Sequence, residues 1–162
     1  MSHWISPAAE TPEGLEEFKV GLARLRQGQR AEAMTHIRRA LEVEPRNPFY
    51  LSYAGLLAAL NEARFGDAEL LCRQAIELKW NHAQLYLNLA DVYQQCGRKA
   101  EAIATLEKGL KSAGRDFRLR RALERMGVRR APVLRWLDRT HPMNRALGRI
   151  RHRLAAATAN MF

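Results

Sequence analysis

A chain of 162 residues is one ordinary domain, long enough to bury a core, and its composition suits helices. No window approaches the roughly 20 apolar residues of a membrane span. Two cysteines make no disulfide framework, and the opening MSHWISPAAE lacks the basic and apolar regions of a signal peptide. The expectation is a soluble, cytoplasmic protein with reduced thiols. The formal net charge of +10 is unevenly placed. From Arg115 onward there are 13 Arg, no Lys and three acids (Asp116, Glu124, Asp138). The first 114 residues hold 14 basic and 14 acidic residues and carry no net charge.

Residues 1–13, with Pro7 and Pro12, read as a lead-in. Helical spacing then predicts a helix from about Pro12 to Gln27. Thr11 is placed to cap it, and Glu13, Glu16 and Glu17 sit near the positive end of its dipole. Leu15, Phe18, Leu22 and Leu25 form its apolar stripe, and Gly28 ends it. A partner helix follows over about Ala31 to Val43, carrying Ala33, Ile37, Ala40 and Leu41. Pro45 and Pro48 punctuate the next joint.

The same arrangement returns twice. A second pair carries Leu51, Ala54, Gly55, Leu57 and Ala58, then Ala68, Leu71, Cys72 and Ala75. A third carries Tyr86, Leu89, Ala90 and Tyr93, breaks at Gly97, and resumes with Ala102, Ile103, Leu106 and Leu110. Ala33, Ala68 and Ala102 are equivalent, as are Ala40, Ala75 and Gly109, at offsets of 35 and 34 residues. Small residues recur where two helices must approach closely. One such helical pair cannot bury its own apolar face, so it needs copies of itself.

Period and pattern resemble the tetratricopeptide repeat (TPR) family. Gly21, Gly28, Ala33, Ala40 and Pro45 match its motif in the first unit; Gly55, Ala68 and Ala75 in the second; Leu89, Ala90, Tyr93, Gly97 and Ala102 in the third. Two features depart from it: an extra residue around Asn61 to Arg64, and Trp80 in place of the usual Pro. The resemblance implies an all-α solenoid of stacked antiparallel helix pairs, with hairpins at 14–47, 48–82 and 83–114. Residues 115–127 would then be a capping helix, because an array needs an element that covers its open end. Phe117, Leu119, Ala122, Leu123 and Met126 are the apolar residues offered to that contact.

Residues 128–162 read as an Arg-rich helical extension. Val133, Leu134, Trp136 and Leu137 form a dense apolar patch. Met143, Leu147, Ile150 and Leu154 fall on one helical face, with Arg145, Arg149 and Arg153 opposite and Arg151 at the margin.

The five His form no metal pair at helical spacing with another His or a Cys. Gly-rich phosphate loops and nucleophile elbows are absent from the sequence. No enzyme activity, metal or cofactor is expected. The resemblance instead implies an interaction module (a scaffold, adaptor or chaperone-like protein), with the first helix of each unit lining a concave groove. Some three-repeat members are chaperones for secreted proteins, and this chain has their size. Groove positions would be Phe18, Lys19, Leu22, Leu25 and Arg26, then Phe49, Ser52, Tyr53, Leu56 and Leu60, then Gln84, Leu87, Asn88, Asp91 and Gln95. Some members grip a C-terminal carboxylate with a Lys/Asn/Arg clamp. Asn88 falls at one clamp position, but Phe18 and Leu22 replace the first unit's Lys and Asn. The expected ligand is therefore an apolar or amphipathic protein segment, with acidic patches meeting the basic tail. Alternatively, the chain's own N-terminal segment or Val133–Leu137 covers the groove. A second class of function is a polyanion binder, for nucleic acid or an anionic membrane surface, acting through Arg145, Arg149, Arg151 and Arg153. Self-association through the tail or the open end of the array is a third.

Overall fold

The computed structural model describes residues 12–127, together with Met143, Ala146, Leu147 and Ile150. The chain divides into two compact units, Met1–Gly127 and Val128–Phe162. The described part of the first consists of seven helices: α1 (Pro12–Arg26), α2 (Arg30–Val43), α3 (Pro48–Glu62), α4 (Phe65–Leu78), α5 (Ala83–Gln95), α6 (Lys99–Ser112) and α7 (Phe117–Arg125). Thr11, and with it the expected first cap, lies outside the described residues.

The helices pair as α1 with α2, α3 with α4 and α5 with α6, and each pair stacks on the next. Side-chain size explains the close pairing. Ala33, Ala40, Ala68, Ala75 and Ala102 are wholly buried between helices. A Cβ on Gly21 would lie 2.9 Å from the Ile37 side chain, and one on Gly109 would lie 2.9 Å from Tyr86. Larger residues fill the space between layers, with Tyr50, Leu57, Leu85, Tyr86, Tyr93 and Leu106 almost fully buried.

Local chemistry sets the helix ends. Asn47 caps α3 by accepting from the backbone N–H groups of Phe49 (3.0 Å) and Tyr50 (3.4 Å). Asp116 caps α7, accepting from the Arg118 N–H at 2.7 Å. The turns inside the first and third hairpins use left-handed Gly28 and Gly97 (φ +79° and +73°). Ala63 holds that position in the second hairpin, at φ +50°. The extra residue of this unit is taken up in the last turn of α3, where the Ala63 and Arg64 N–H groups both reach back to the Ala58 carbonyl.

Helix α7 buries Leu119, Ala122, Leu123 and Met126 against the third hairpin. Phe117 does not join them. It is 71% exposed, because as the first residue of α7 it precedes the packed face. In the second unit the four described residues are helical; Met143 and Ile150 are exposed, Ala146 and Leu147 half-buried.

Candidate functional site: the concave face

Helices α1, α3 and α5 open the three hairpins, and α7 follows them in the same layer position. Their inward side chains begin with an aromatic cluster. The Phe18 ring centroid lies 4.7 Å from that of Tyr50 and 5.5 Å from that of Tyr53, the latter edge-on. Tyr50 is buried, whereas Phe18 and Tyr53 are half-buried and present a face to solvent. Leu22, Leu25, Phe49, Leu60 and Leu87 are also half-buried, and Leu56 is buried beneath them. Lys19 and Arg26 stand exposed on α1, Lys19 beside Glu16 at 2.7 Å.

Over the third unit the face is polar, and its groups are tied together. Asn88 is 1% exposed, so it is not the surface ligand residue its clamp position suggests. Its Nδ2 donates to Ser52 Oγ at 2.9 Å, and its Oδ1 accepts from Gln84 Nε2 at 2.8 Å. Gln84 Oε1 in turn accepts from Arg118 Nη1 at 3.2 Å. One hydrogen-bonded chain thus runs from α3 through α5 to α7. Burial of Asn88 and Ser52 is sustained because these bonds give their buried polar atoms partners. Gln95 is exposed at the end of α5.

Charge gathers around the half-buried Tyr53. Burial raises the pKa of Tyr53; Arg26 and Arg118 pull it down and Asp91 pushes it up. Three charged groups, from α1, α5 and α7, therefore act on one ring. Asp91 is half-buried, and burial raises its carboxyl above the usual range against the pull of Arg125. Gln94 Nε2 donates to it at 3.2 Å. Beyond Asp91 the surface opens into a cavity of about 460 Å³ between α5 and α7, floored by Ala122 and Met126 and flanked by Asp91, Lys99 and Arg125.

Sequence reasoning treated α7 as a cap alone and so missed its Arg118, Arg121 and Arg125. The signal was the repeat period itself: 34 residues carry Gln84, Leu87 and Asp91 onto Arg118, Arg121 and Arg125. The basic residues Arg145, Arg149, Arg151 and Arg153 lie outside the described residues, as do the apolar residues 133–137. Among the described residues, no group of three or more His, Cys, Asp or Glu is placed to hold a metal. No described helix is long and apolar enough to cross a membrane. Cys72 is buried, its thiol pushed up to about 12 by burial, which removes it from thiolate chemistry.

Comparison with known proteins gives this arrangement a family. A family model described as tetratricopeptide repeat matches residues 59–126. The TPR repeat-containing thioredoxin TTL4 of Arabidopsis thaliana is 33% identical over 103 residues, 63% of this chain. Residues 59–126 of the chain carry tetratricopeptide repeats. The chain spans 15% of the length of TTL4. Solved TPR domains share the fold. The Sgt2 TPR domain of Aspergillus fumigatus matches with a TM-score of 0.62 and 22% identity, over 74% of this chain and 80% of that one. The first TPR domain of Spaghetti (RPAP3), bound to the HSP90 peptide SRMEEVD, gives 0.61 and 18%, over 74% and 96%. The TPR2B domain of yeast Sti1 in a pHsp70 complex gives 0.61 and 17%, over 74% and 100%. Within its TPR array this chain keeps the stacked hairpins but carries an aromatic and aliphatic inner surface over its first two repeats.

Proposed function

We propose that the TPR array is a protein-interaction module whose groove takes a short amphipathic segment of a partner protein, with apolar anchors and flanking acidic residues. The observation that carries this reading is the half-buried Phe18–Tyr53 surface, with Arg26 of α1 and Arg118 of α7 both close enough to act electrostatically on Tyr53. An apolar anchor removed from water on such a surface contributes about 1.5–3 kcal/mol. The guanidinium groups select carboxylates beside it and reject basic segments, setting specificity more than affinity. Similar TPR domains are bound to chaperone peptides, one of them the acidic SRMEEVD, which supports a peptide ligand of this charge. Phe18 and Leu22 at the first unit's clamp positions move recognition toward apolar anchoring and away from a grip on a terminal carboxylate. The array then works as an adaptor, and its chemistry is that of binding. The Arg-rich segment, with Arg145, Arg149, Arg151 and Arg153, supplies a second contact to an acidic surface of the same partner.

A selection from displayed random peptides tests this. Binders enriched in apolar residues at helical or alternating spacing with Asp or Glu beside them are expected. Their binding should fall at least about tenfold in Leu22→Glu/Tyr53→Glu, a loss of roughly 1.4 kcal/mol or more. Enrichment of basic peptides, or binding that survives this double substitution in a folded protein, would overturn the reading.

A further inference from the structure

The apolar half of the concave face lies within reach of a stretch of chain that suits it. Phe18 and Leu22 are one turn apart on α1, and Tyr53 of α3 meets Phe18 edge-on. At 1.5 Å per residue, Phe18 stands about 9 Å and Leu22 about 15 Å along α1 from its first residue, Pro12. The α1 charges flanking Phe18 are already paired. Glu16 holds Lys19 at 2.7 Å, and Glu17 sits against His36 at 2.6 Å and Arg39 at 3.7 Å. Glu13 is in the first turn, at the positive end of the helix. The surface around Phe18 thus offers apolar area and little net charge.

Eleven residues, MSHWISPAAET, precede α1 and lie outside the described residues. A residue before a proline is biased away from the helical region, so Pro12 keeps α1 from running back through Thr11. Residues 1–9 contain no Asp, Glu, Lys or Arg, and they carry Trp4 and Ile5 side by side. The eight residues from Trp4 to Pro12 span up to about 26 Å when extended. That exceeds the distance to Phe18 or Leu22 and leaves slack for the chain to reverse. Joined to α1 in this way, the segment has an effective concentration at that surface on the order of millimolar.

We propose that residues 1–11 fold back as an intramolecular cover of the groove, with Trp4 and Ile5 on the Phe18–Leu22–Tyr53 surface, and that a partner segment binds by displacing them. This regulation rests on the groove reading above. Complementarity selects the occupant, an uncharged apolar segment on an apolar surface whose flanking charges are paired. A second copy of the chain would have to compete from bulk solution against a tethered segment. The same chemistry makes the cover removable. Its one acid, Glu10, is held two residues from Pro12, whereas Arg26 ends α1 about 21 Å further on. A partner segment with an acidic residue at that end gains an interaction with Arg26 that the cover cannot make.

The test places a benzophenone amino acid at Trp4 of the full chain and maps its photo-cross-links by mass spectrometry, with no peptide added. Links within one chain to Phe18, Leu22 or Tyr53 are expected. Links elsewhere, links between chains, or no links would overturn the proposal. So would links to these three residues from a probe at Trp136 with none from position 4, which would give the surface to the Arg-rich segment. A second measurement compares the affinity of groove-selected peptides for the wild type and for Trp4→Ser/Ile5→Ser. Both positions precede the helices, so helical circular dichroism should be unchanged. A cover closed in about four of five molecules makes the variant bind about fivefold tighter. Equal affinity would overturn the proposal. If no peptide is selected at all, the groove reading fails, and the peptide-free cross-link still decides the cover.

Discussion

Gly55 is the point where two helices of the second hairpin come closest, and replacing it with Ala should loosen the array measurably. A Cβ at this position would lie 2.7 Å from the Ala68 carbonyl oxygen, 2.8 Å from Cys72 Sγ and 3.2 Å from Leu71 Cβ. The nearest atom is backbone and cannot swing away, so α3 and α4 must separate by several tenths of an ångström. Overpacking of this kind costs about 1–3 kcal/mol, while Ala in place of a helical Gly returns up to about 1 kcal/mol. The net expectation is a loss of roughly 1–2 kcal/mol, or on the order of 4–10 °C in Tm for an array of this size. Gly66→Ala is the matched control: it lies in the first turn of α4, and a Cβ there meets nothing within 4 Å. That substitution should be neutral or stabilising by up to about 1 kcal/mol. Urea denaturation followed by circular dichroism measures both. A Gly55→Ala midpoint at or above that of Gly66→Ala would refute the close-packing explanation of the small-residue positions.

Three further outcomes follow from named contacts. Ala63→Gly should stabilise by about 1 kcal/mol, because Ala63 holds a left-handed conformation that glycine adopts without steric penalty; a lowered urea midpoint would contradict this. Ser52→Ala should destabilise by about 1–3 kcal/mol, since it leaves the buried Asn88 Nδ2 without its acceptor; an unchanged midpoint would show that the bond adds nothing. Asp91→Asn should raise Tm at pH 7. Burial raises the folded pKa of Asp91, so the folded protein binds this proton more tightly than the unfolded chain, and ionisation above that pKa destabilises the fold. The advantage of the variant should shrink as pH falls through the folded pKa of Asp91, and a difference that grows toward acid would reverse the sign of this reasoning.

The repeat fold was legible because two signals agreed three times: an apolar helical period, and small residues recurring at 34 or 35 residues. Neither signal depends on tertiary context. What the sequence obscured were positions where context overrides pattern. Asn88 reads as a polar groove residue, yet burial against Ser52 makes it a strut between repeats. Phe117 reads as core, yet its place before the packed face of α7 leaves it exposed. Ala63 gave no turn signal, because a non-glycine residue in the left-handed region is not written in any local pattern. The cations of α7 were visible as composition, but the helix was read only as a cap. Only the stacking of α7 on the third hairpin, with Arg118 bonded to Gln84, sets Arg118 beside the polar residues of the third unit.

Methyl NMR on leucine-labelled protein, titrated with a peptide selected as above, tests groove binding most directly. The proposed groove includes Leu22, Leu56, Leu60 and Leu87, whereas Leu70 and Leu78 are exposed on α4. Groove binding predicts saturable shifts at the first four and none at Leu70 and Leu78. Shifts confined to Leu70 and Leu78, with the concave leucines unmoved, would contradict it.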